Sequence, residues 1–450
     1  MIPLICAGLA ALGALSVLLA RGWPRGAGLA GATALIAVTA AAALAPLEAP
    51  VALGDAFVTD APMIRLWLTA VAGALALLIM IALLVAPSSG LPMLACVIVA
   101  TTALSLTLSE PAAALTLSAG TGVLGLAGAG VPWKGPFRQS ALVPGLAAGG
   151  TLMAPLAATG SSVLILPAML VAGAVLLRVG AIPFHLLPLR AARTGPLTMI
   201  VLMSVWAPYL FGLLAAAWLT TGPAASVFED PAVRDALAVL GGTTVVLAAV
   251  AMLVQKDLGS LMGVHAIGDG ALVLLALAGG AAAMPALASW LIVSGLARTV
   301  LAGWSIAAAS RMGSRQVDGT RGWIRRAPLL LPALVVPIVA GVGWPGSVPF
   351  EARRVLVEGA VPETVALLVV GASMALGLGY ARLMWAGLRQ ADDESAVAVR
   401  PRTRAGRWSA AALVLSLGLI PLVTALGIAA PGFTEPGAAS ADWRPFDEDR

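Results

Sequence analysis

The chain has 450 residues, 60% of them apolar and only 10% charged, with a formal net charge of +5. Its mean hydropathy is +1.00. That composition excludes a soluble globular domain and a nucleic-acid-binding protein, and it leaves an all-α, polytopic integral membrane protein.

In chain order, runs of about 20 apolar residues, each long enough to cross a ~30 Å hydrocarbon core, predict fourteen spans. They lie over 2–20, 26–45, 62–86, 91–109, 111–131, 140–158, 161–180, 197–219, 236–254, 261–280, 286–309, 328–343, 363–386 and 408–429. Met1-Ile2-Pro3-Leu4 carries no basic leader and reads as the entry to the first span. The 50 Gly and 31 Pro sit inside apolar runs, where small residues let helices pack closely. Cys6 and Cys96 each stand alone in an apolar segment and read as inert core residues. The stretch 344–362 is too broken and too charged for a clean span. The layout divides into a three-helix segment over 1–90, a core over 91–386, a loop and last helix over 387–429, and an acidic tail over 430–450. Alternate loops, beginning with Arg21 and Arg25, hold most of the 26 basic residues, whereas Glu48, Asp55, Asp60, Glu110, Glu229 and Asp230 lie on the other side. By the positive-inside bias both termini face outward from the cell inner (plasma) membrane.

A charge at mid-bilayer costs roughly 2.5–3.5 kcal/mol, so ionisable residues inside or beside spans are the candidates for function. These are Arg178, His185, Lys256, Asp257, His265, Asp269, Arg298, Glu351, Arg353 and Arg354. The run Arg178-Val179-Gly180-Ala181-Ile182-Pro183-Phe184-His185-Leu186-Leu187-Pro188 gathers a cation, a histidine and two prolines at one membrane face. It reads equally as an ordinary positive-inside loop. The run from Gln255 and Lys256 to Asp269 carries polar residues into the next span, and helical spacing puts His265 and Asp269 on one face. A His–carboxylate pair can hold and pass a proton near neutral pH; a self-capping helix entry near the headgroups accounts for the same residues. Arg298 is too deep in its span to snorkel and reads either as a tie between helices or as a fixed charge in a hydrophilic path. Around Pro345 and Gly346 helicity breaks just before Glu351, Arg353 and Arg354, as in discontinuous transporter helices or in a plain surface connection. No nucleotide loop, nucleophile elbow or metal-ligand spacing occurs, and two His without Cys or carboxylate support do not make a typical zinc site.

Taken in order, these stretches resemble the antiporter-like membrane subunits shared by respiratory complex I, membrane-bound hydrogenases and multisubunit cation/proton antiporters, with the hydrogenase or formate-hydrogenlyase branch nearest. Arg178 to Pro188 is similar to the family's Lys-x-Gly-x-x-Pro-Phe-His element. Gln255 to Asp269 is similar to its Gln-x-Asp-Leu-Lys-Arg element, with the histidine of the hydrogenase type at His265. Arg298 stands where the family has Lys. Gly322, Arg325, Arg326 and Pro328, then Gly343, Pro345 and Phe350, and finally Tyr380 and Arg382 match later elements. The resemblance covers roughly 91–386.

Membership implies about 14 transmembrane helices containing two inverted five-helix repeats, each with one broken helix. Pro208 is the expected break in the first repeat, Pro345 and Gly346 in the second. The ion-path candidates remain Arg178, His185, Lys256, His265, Asp269, Arg298 and Arg353. Membership also implies other integral membrane subunits as partners and the lipid bilayer as surroundings. No cofactor is implied for the chain itself, and the redox chemistry would belong to a partner in an oxidoreductase complex. Three departures stand out: Gly120 replaces the expected Glu, Ala207 the expected Lys, and Gly259 the Lys of the Asp-Leu-Lys element. Three readings follow: proton translocation through the remaining titratable groups, a non-pumping structural subunit of the same membrane arm, and an unrelated small-solute secondary transporter.

Overall fold

The computed structural model describes residues 2–46, 51–53, 56–58, 60–85, 87–128, 136–155 and 165–389, with positions 414, 418 and 446. The span expected over 408–429, the acidic tail, and the Arg400–Arg407 loop lie outside these residues.

The chain runs through α1 (Ile2–Leu19) and α2 (Pro24–Leu44). A two-stranded antiparallel hairpin follows, β1 (Val51–Leu53) and β2 (Ala56–Val58), paired Val51 to Val58. Next come α3 (Pro62–Val85), α4 (Gly90–Thr107), α5 (Pro111–Gly128), α6 (Pro136–Met153), α7 (Ile165–Val179), α8 (Leu186–Thr194) and α9 (Leu197–Val201). A π-helical turn over Leu202–Trp206 leads into α10 (Ala207–Thr221), and α11 (Ala225–Phe228) is a short connector. The second half holds α12 (Pro231–Met252), α13 (Leu258–Gly279), α14 (Met284–Met312), α15 (Trp323–Arg326), α16 (Leu330–Val342), α17 (Val348–Glu358), α18 (Glu363–Ala375) and α19 (Ala381–Leu388). A 3₁₀ turn over Leu376–Tyr380 joins α18 to α19.

Nine helical segments among the described residues are long and apolar enough to cross a membrane. Shorter apolar helices at Pro111–Leu124, Ser140–Met153 and Ile165–Val179, together with Leu330–Val342, cover the other expected spans up to residue 388. The stretch 344–362 is indeed no span: an 11-residue helix, α17, occupies it between two turns.

The helices differ in what surrounds them. α1 and α2 expose Leu12, Leu19, Leu29 and Leu44, as lipid-facing helices do. By contrast, every residue of α13 from Leu258 to Ala278 is buried, and α14 is enclosed over Leu287–Ala308. A helix wrapped by protein on all sides can hold charges that lipid would reject. Buried indoles tie neighbouring elements together. Trp304 Nε1 donates to the Leu330 carbonyl at 2.8 Å and Trp323 Nε1 to that of Leu383 at 2.8 Å. Thus the polar end of each ring is satisfied while its body fills the core.

Arg65, which the sequence reading passed over, is a buried structural clamp. Its guanidinium pairs with Asp60 at 2.6 Å and donates to the carbonyls of Ala41 at 3.1 Å and Pro46 at 3.0 Å, closing the C-terminal end of α2 against α3.

Loops sort to two ends. At one, Arg193 donates to Ser260 Oγ at 3.1 Å, Arg315 to the Gly195 carbonyl at 2.8 Å, and Arg382 to the carbonyls of Leu253 and Gln255 at 2.7 and 2.9 Å. At the other, Arg234 bonds the Ala278 carbonyl at 2.7 Å. There Asp230 caps α12, its carboxylate accepting from Ala232 N at 2.8 Å. Asp230→Ala is expected to lower stability by about 1 kcal/mol through loss of this cap, read as a lower Tm in lipid nanodiscs.

Candidate functional site

α13 begins at Asp257, whose side chain accepts from Ser260 N at 3.0 Å. Two turns further in, one helical turn apart on one face, stand His265 and Asp269, each 2% exposed. Across from them α14 presents Arg298, whose Nε donates to Asp269 Oδ2 at 2.6 Å. The other carboxylate oxygen, Oδ1, lies 3.8 Å from His265 Nε2. His265 Nδ1 is 3.0 Å from the hydroxyl of Tyr380, at the end of the 3₁₀ turn before α19. The Tyr209 hydroxyl, from α10, reaches Asp269 Oδ2 at 3.4 Å. The chain has only two tyrosines, and both end on this cluster.

The cluster is braced from behind. Trp290 Nε1 donates to the Asp269 carbonyl at 3.3 Å, and the guanidinium of Arg353 stacks 4.6 Å from the centre of that indole. Arg353 also donates to the carbonyls of Val342 at 2.6 Å and Gly341 at 2.9 Å. It therefore caps α16, where the chain turns at Gly343 (φ +71°) and passes through Pro345 and Gly346 into α17. Pro208 stands at the start of α10, directly after the π-turn. That turn is pinned by Trp206 Nε1, which donates to Thr299 Oγ1 at 2.9 Å, beside Arg298.

Not every expected residue joins this group. Arg178 faces a separate cavity lined also by Gly122, Ser140, Ser204, Ala266 and Ile267. Because Ala266 and Ile267 project from α13 on a different side from His265 and Asp269, this one helix forms a wall between the two polar sites. His185 sits half-buried in the turn before α8, and its Nδ1 has no hydrogen-bond partner among the described residues. Lys256 lines an open pocket of about 410 Å³ at the arginine-rich end, with Arg193, Asp257, Ser260 and Gln316. Glu351 and Arg354 form an exposed ion pair at 2.9 Å, continued to Glu358 at 2.7 Å. Such exposed pairs contribute little.

The three departures sit in different surroundings. A side chain at Gly259 would run into the Ala192 carbonyl and the Arg315 guanidinium. Arg315 occupies that space, donating to the Gly195 and Ala192 carbonyls and lying 3.4 Å from Asp257. Ala207 is buried among apolar neighbours at the start of α10. Gly120 has open space where a Cβ would be, and it carries no charge.

Sequence reasoning paired His265 with Asp269 and set Arg298 in the same polar interior without pairing it to Asp269, and it did not single out the hydroxyl of Tyr209 or the indole of Trp290. Tyrosine scarcity was the signal for the first: two hydroxyl-bearing rings in so apolar a chain each need a polar partner. Among the described residues no group of three His, Cys, Asp or Glu side chains is arranged to hold a metal ion.

The family model described as NADH:quinone oxidoreductase/Mrp antiporter, TM, matches residues 148–379. NADH-quinone oxidoreductase subunit N of Cereibacter sphaeroides is 31% identical over 189 residues, 41% of this chain and 42% of that protein. Subunit N 1 of Streptomyces griseus is 30% identical over 251 residues, 54% of this chain and 52% of that one. The chain thus spans about half the length of these relatives. Among solved structures, respiratory complex I from Thermus thermophilus matches at TM-score 0.68 and 18% identity, covering 94% of this chain and 98% of that one. The Mrp complex from Dietzia matches at TM-score 0.70 and 15% identity, covering 98% and 96%. An archaeal membrane-bound sulfane sulfur reductase matches at TM-score 0.73 and 16% identity, covering 97% of each chain. At these identities the three structures share the fold.

Proposed function

The chain belongs to the NADH:quinone oxidoreductase/Mrp antiporter membrane family, and from that premise we propose that it is an antiporter-like subunit of a membrane arm whose proton step, in this chain, runs through His265. The observation that carries this reading is the buried convergence of His265, Asp269, Arg298, Tyr209 and Tyr380 from four separate parts of the fold.

Each member has a distinct capacity. Arg298 keeps its proton at any physiological pH, so it supplies fixed positive charge. Asp269 Oδ2 accepts from Arg298 Nε at 2.6 Å, which leaves Oδ1 free on the His265 side. The carrier is then His265, because imidazole can take a proton on one ring nitrogen and release it from the other. Its two nitrogens face the two ends of such a relay, Asp269 Oδ1 and the Tyr380 hydroxyl.

The chain would work beside other integral membrane subunits in an energy-converting inner or plasma membrane, with redox chemistry supplied by a partner. The aligned subunit N relatives favour the quinone-reductase branch over the hydrogenase branch. The grouping of Arg193, Arg315 and Arg382 at one end supports placing that end on the cytoplasmic side, with both termini outward.

A second reading, a structural subunit that fills its place without pumping, is favoured by the uncharged residues at Gly120 and Ala207 and by the tight Arg298–Asp269 pair. Proton uptake by vesicles holding the intact assembly separates the two. His265→Gln is expected to reduce uptake at least about tenfold, in line with loss of a positioned acid–base group, while assembly and the Arg354→Gln control stay at the wild-type level. Undiminished uptake in assembled His265→Gln would establish the structural reading instead.

A further inference from the structure

Arg178 is a buried cation that the His265 cluster does not use. It lies in the last turn of α7 and is 8% exposed. Its guanidinium packs against α5 at Gly122, where an added Cβ would land on it. Nε and Nη2 are buried and donate to no group among the described residues. A cation in a helix's last turn normally donates to the free carbonyls there; this one turns instead toward a cavity of about 30 Å³.

The lining of that cavity is one-sided. Besides the guanidinium it offers Ser140 and Ser204, with Gly122, Leu177, Ala191, Met203, Ala266 and Ile267 supplying apolar wall. Ser204 comes from the π-turn, a feature that recurs where helices serve a site. Hydroxyls rotate to donate, and guanidinium only donates. Among the described residues no carboxylate lines the cavity, so its field favours negative charge. Water would satisfy the N–H groups yet leave the charge unbalanced in a low-dielectric interior, a costly state. A space that holds roughly two waters by the usual 10–15 Å³ each suits a monatomic ion better than a carboxylate or phosphate metabolite.

We propose that the cavity between α5, α7, α13 and the π-turn is a monatomic-anion site, in which a halide such as chloride is held by the Arg178 guanidinium and the hydroxyls of Ser140 and Ser204. The site stands apart from His265, on the other side of α13, and does not depend on whether the chain moves protons.

The test uses the full chain in lipid nanodiscs, with unfolding followed by the fluorescence of its 12 tryptophans. At constant ionic strength, exchanging gluconate for chloride or bromide is expected to raise Tm by about 2 °C, saturating with halide concentration as site binding does. Arg178→Met is expected to abolish this response. Gly122→Ala, which displaces the guanidinium, is expected to weaken halide affinity several-fold. An equal Tm in gluconate and halide overturns the proposal, as does a halide response that persists in Arg178→Met. Should Arg178→Met not yield folded protein, bromide anomalous scattering from the wild-type protein decides: a peak beside Nη2 supports the site, and a featureless cavity overturns it.

Discussion

Asp269→Ala and Arg298→Met, made singly, are each expected to destabilise the chain by about 3–5 kcal/mol, because removing one member of a buried pair strands the other charge away from water. Asp269→Ala leaves Arg298 facing Gly341, Tyr209 and an empty carboxylate-sized gap, with no other carboxylate bonded to it among the described residues. Arg298→Met leaves Asp269 beside His265 at 3.8 Å and Tyr209 at 3.4 Å, neither of which carries a fixed positive charge. The double replacement Asp269→Leu with Arg298→Met removes both charges and restores apolar volume, so it is expected to recover most of the lost Tm. Non-additivity of this size is the signature of direct coupling. Purified variants in nanodiscs, compared by Tm and by yield of folded protein, provide the measurement. Additive losses would mean that the two residues stabilise the fold independently, against the 2.6 Å contact. The same double variant separates structure from transport: folded protein with reduced proton uptake would show that the pair shapes the field around His265 as well as the fold.

Gly259→Lys, which restores the cation expected from the family resemblance, is predicted to destabilise rather than repair. A Cβ at this position collides with the Ala192 backbone carbonyl and with the Arg315 guanidinium. Overpacking of this kind costs about 1–3 kcal/mol, or more when backbone has to move. Displacing Arg315 also releases its bonds to Gly195 at 2.8 Å and Ala192 at 3.1 Å, which hold the end of α8 to the loop following α14. Two like charges would then compete for Asp257, which already caps α13. Gly259→Lys combined with Arg315→Ala is expected to recover part of the loss, because a single cation again serves Asp257. Partial recovery will be limited by the Ala192 carbonyl, which does not move with Arg315. Equal Tm for Gly259→Lys and wild type would show that the loop relaxes freely.

Much of the architecture was legible from local composition. Length and hydropathy of apolar runs located the spans because each crosses the bilayer by its own residues, and Pro and Gly marked the breaks near Gly343, Pro345 and Gly346. The short range of helical periodicity was also enough to place His265 and Asp269 on one face. Local reading singled out Arg178, Lys256, His265 and Arg298, since each is a charge or near-charge in an apolar setting. Their surroundings differ: Lys256 borders a wide pocket, Arg178 a small one, and His265 and Arg298 a shared carboxylate. Arg65 shows the converse, a buried arginine whose clamp on α2 and Asp60 depends on a turn between helices that no periodicity describes.

By itself, then, the sequence determined that this protein lives in the bilayer, where its spans lie, and which few residues lipid would not tolerate, because hydropathy is a property of neighbouring residues along the chain. Only the tertiary structure decided that Asp269 answers Arg298 across 29 positions, Tyr209 across 60, and that His265 meets Tyr380 across 115. Coulombic and hydrogen-bond energies depend on distance through space, and that distance is set by how the helices pack around α13.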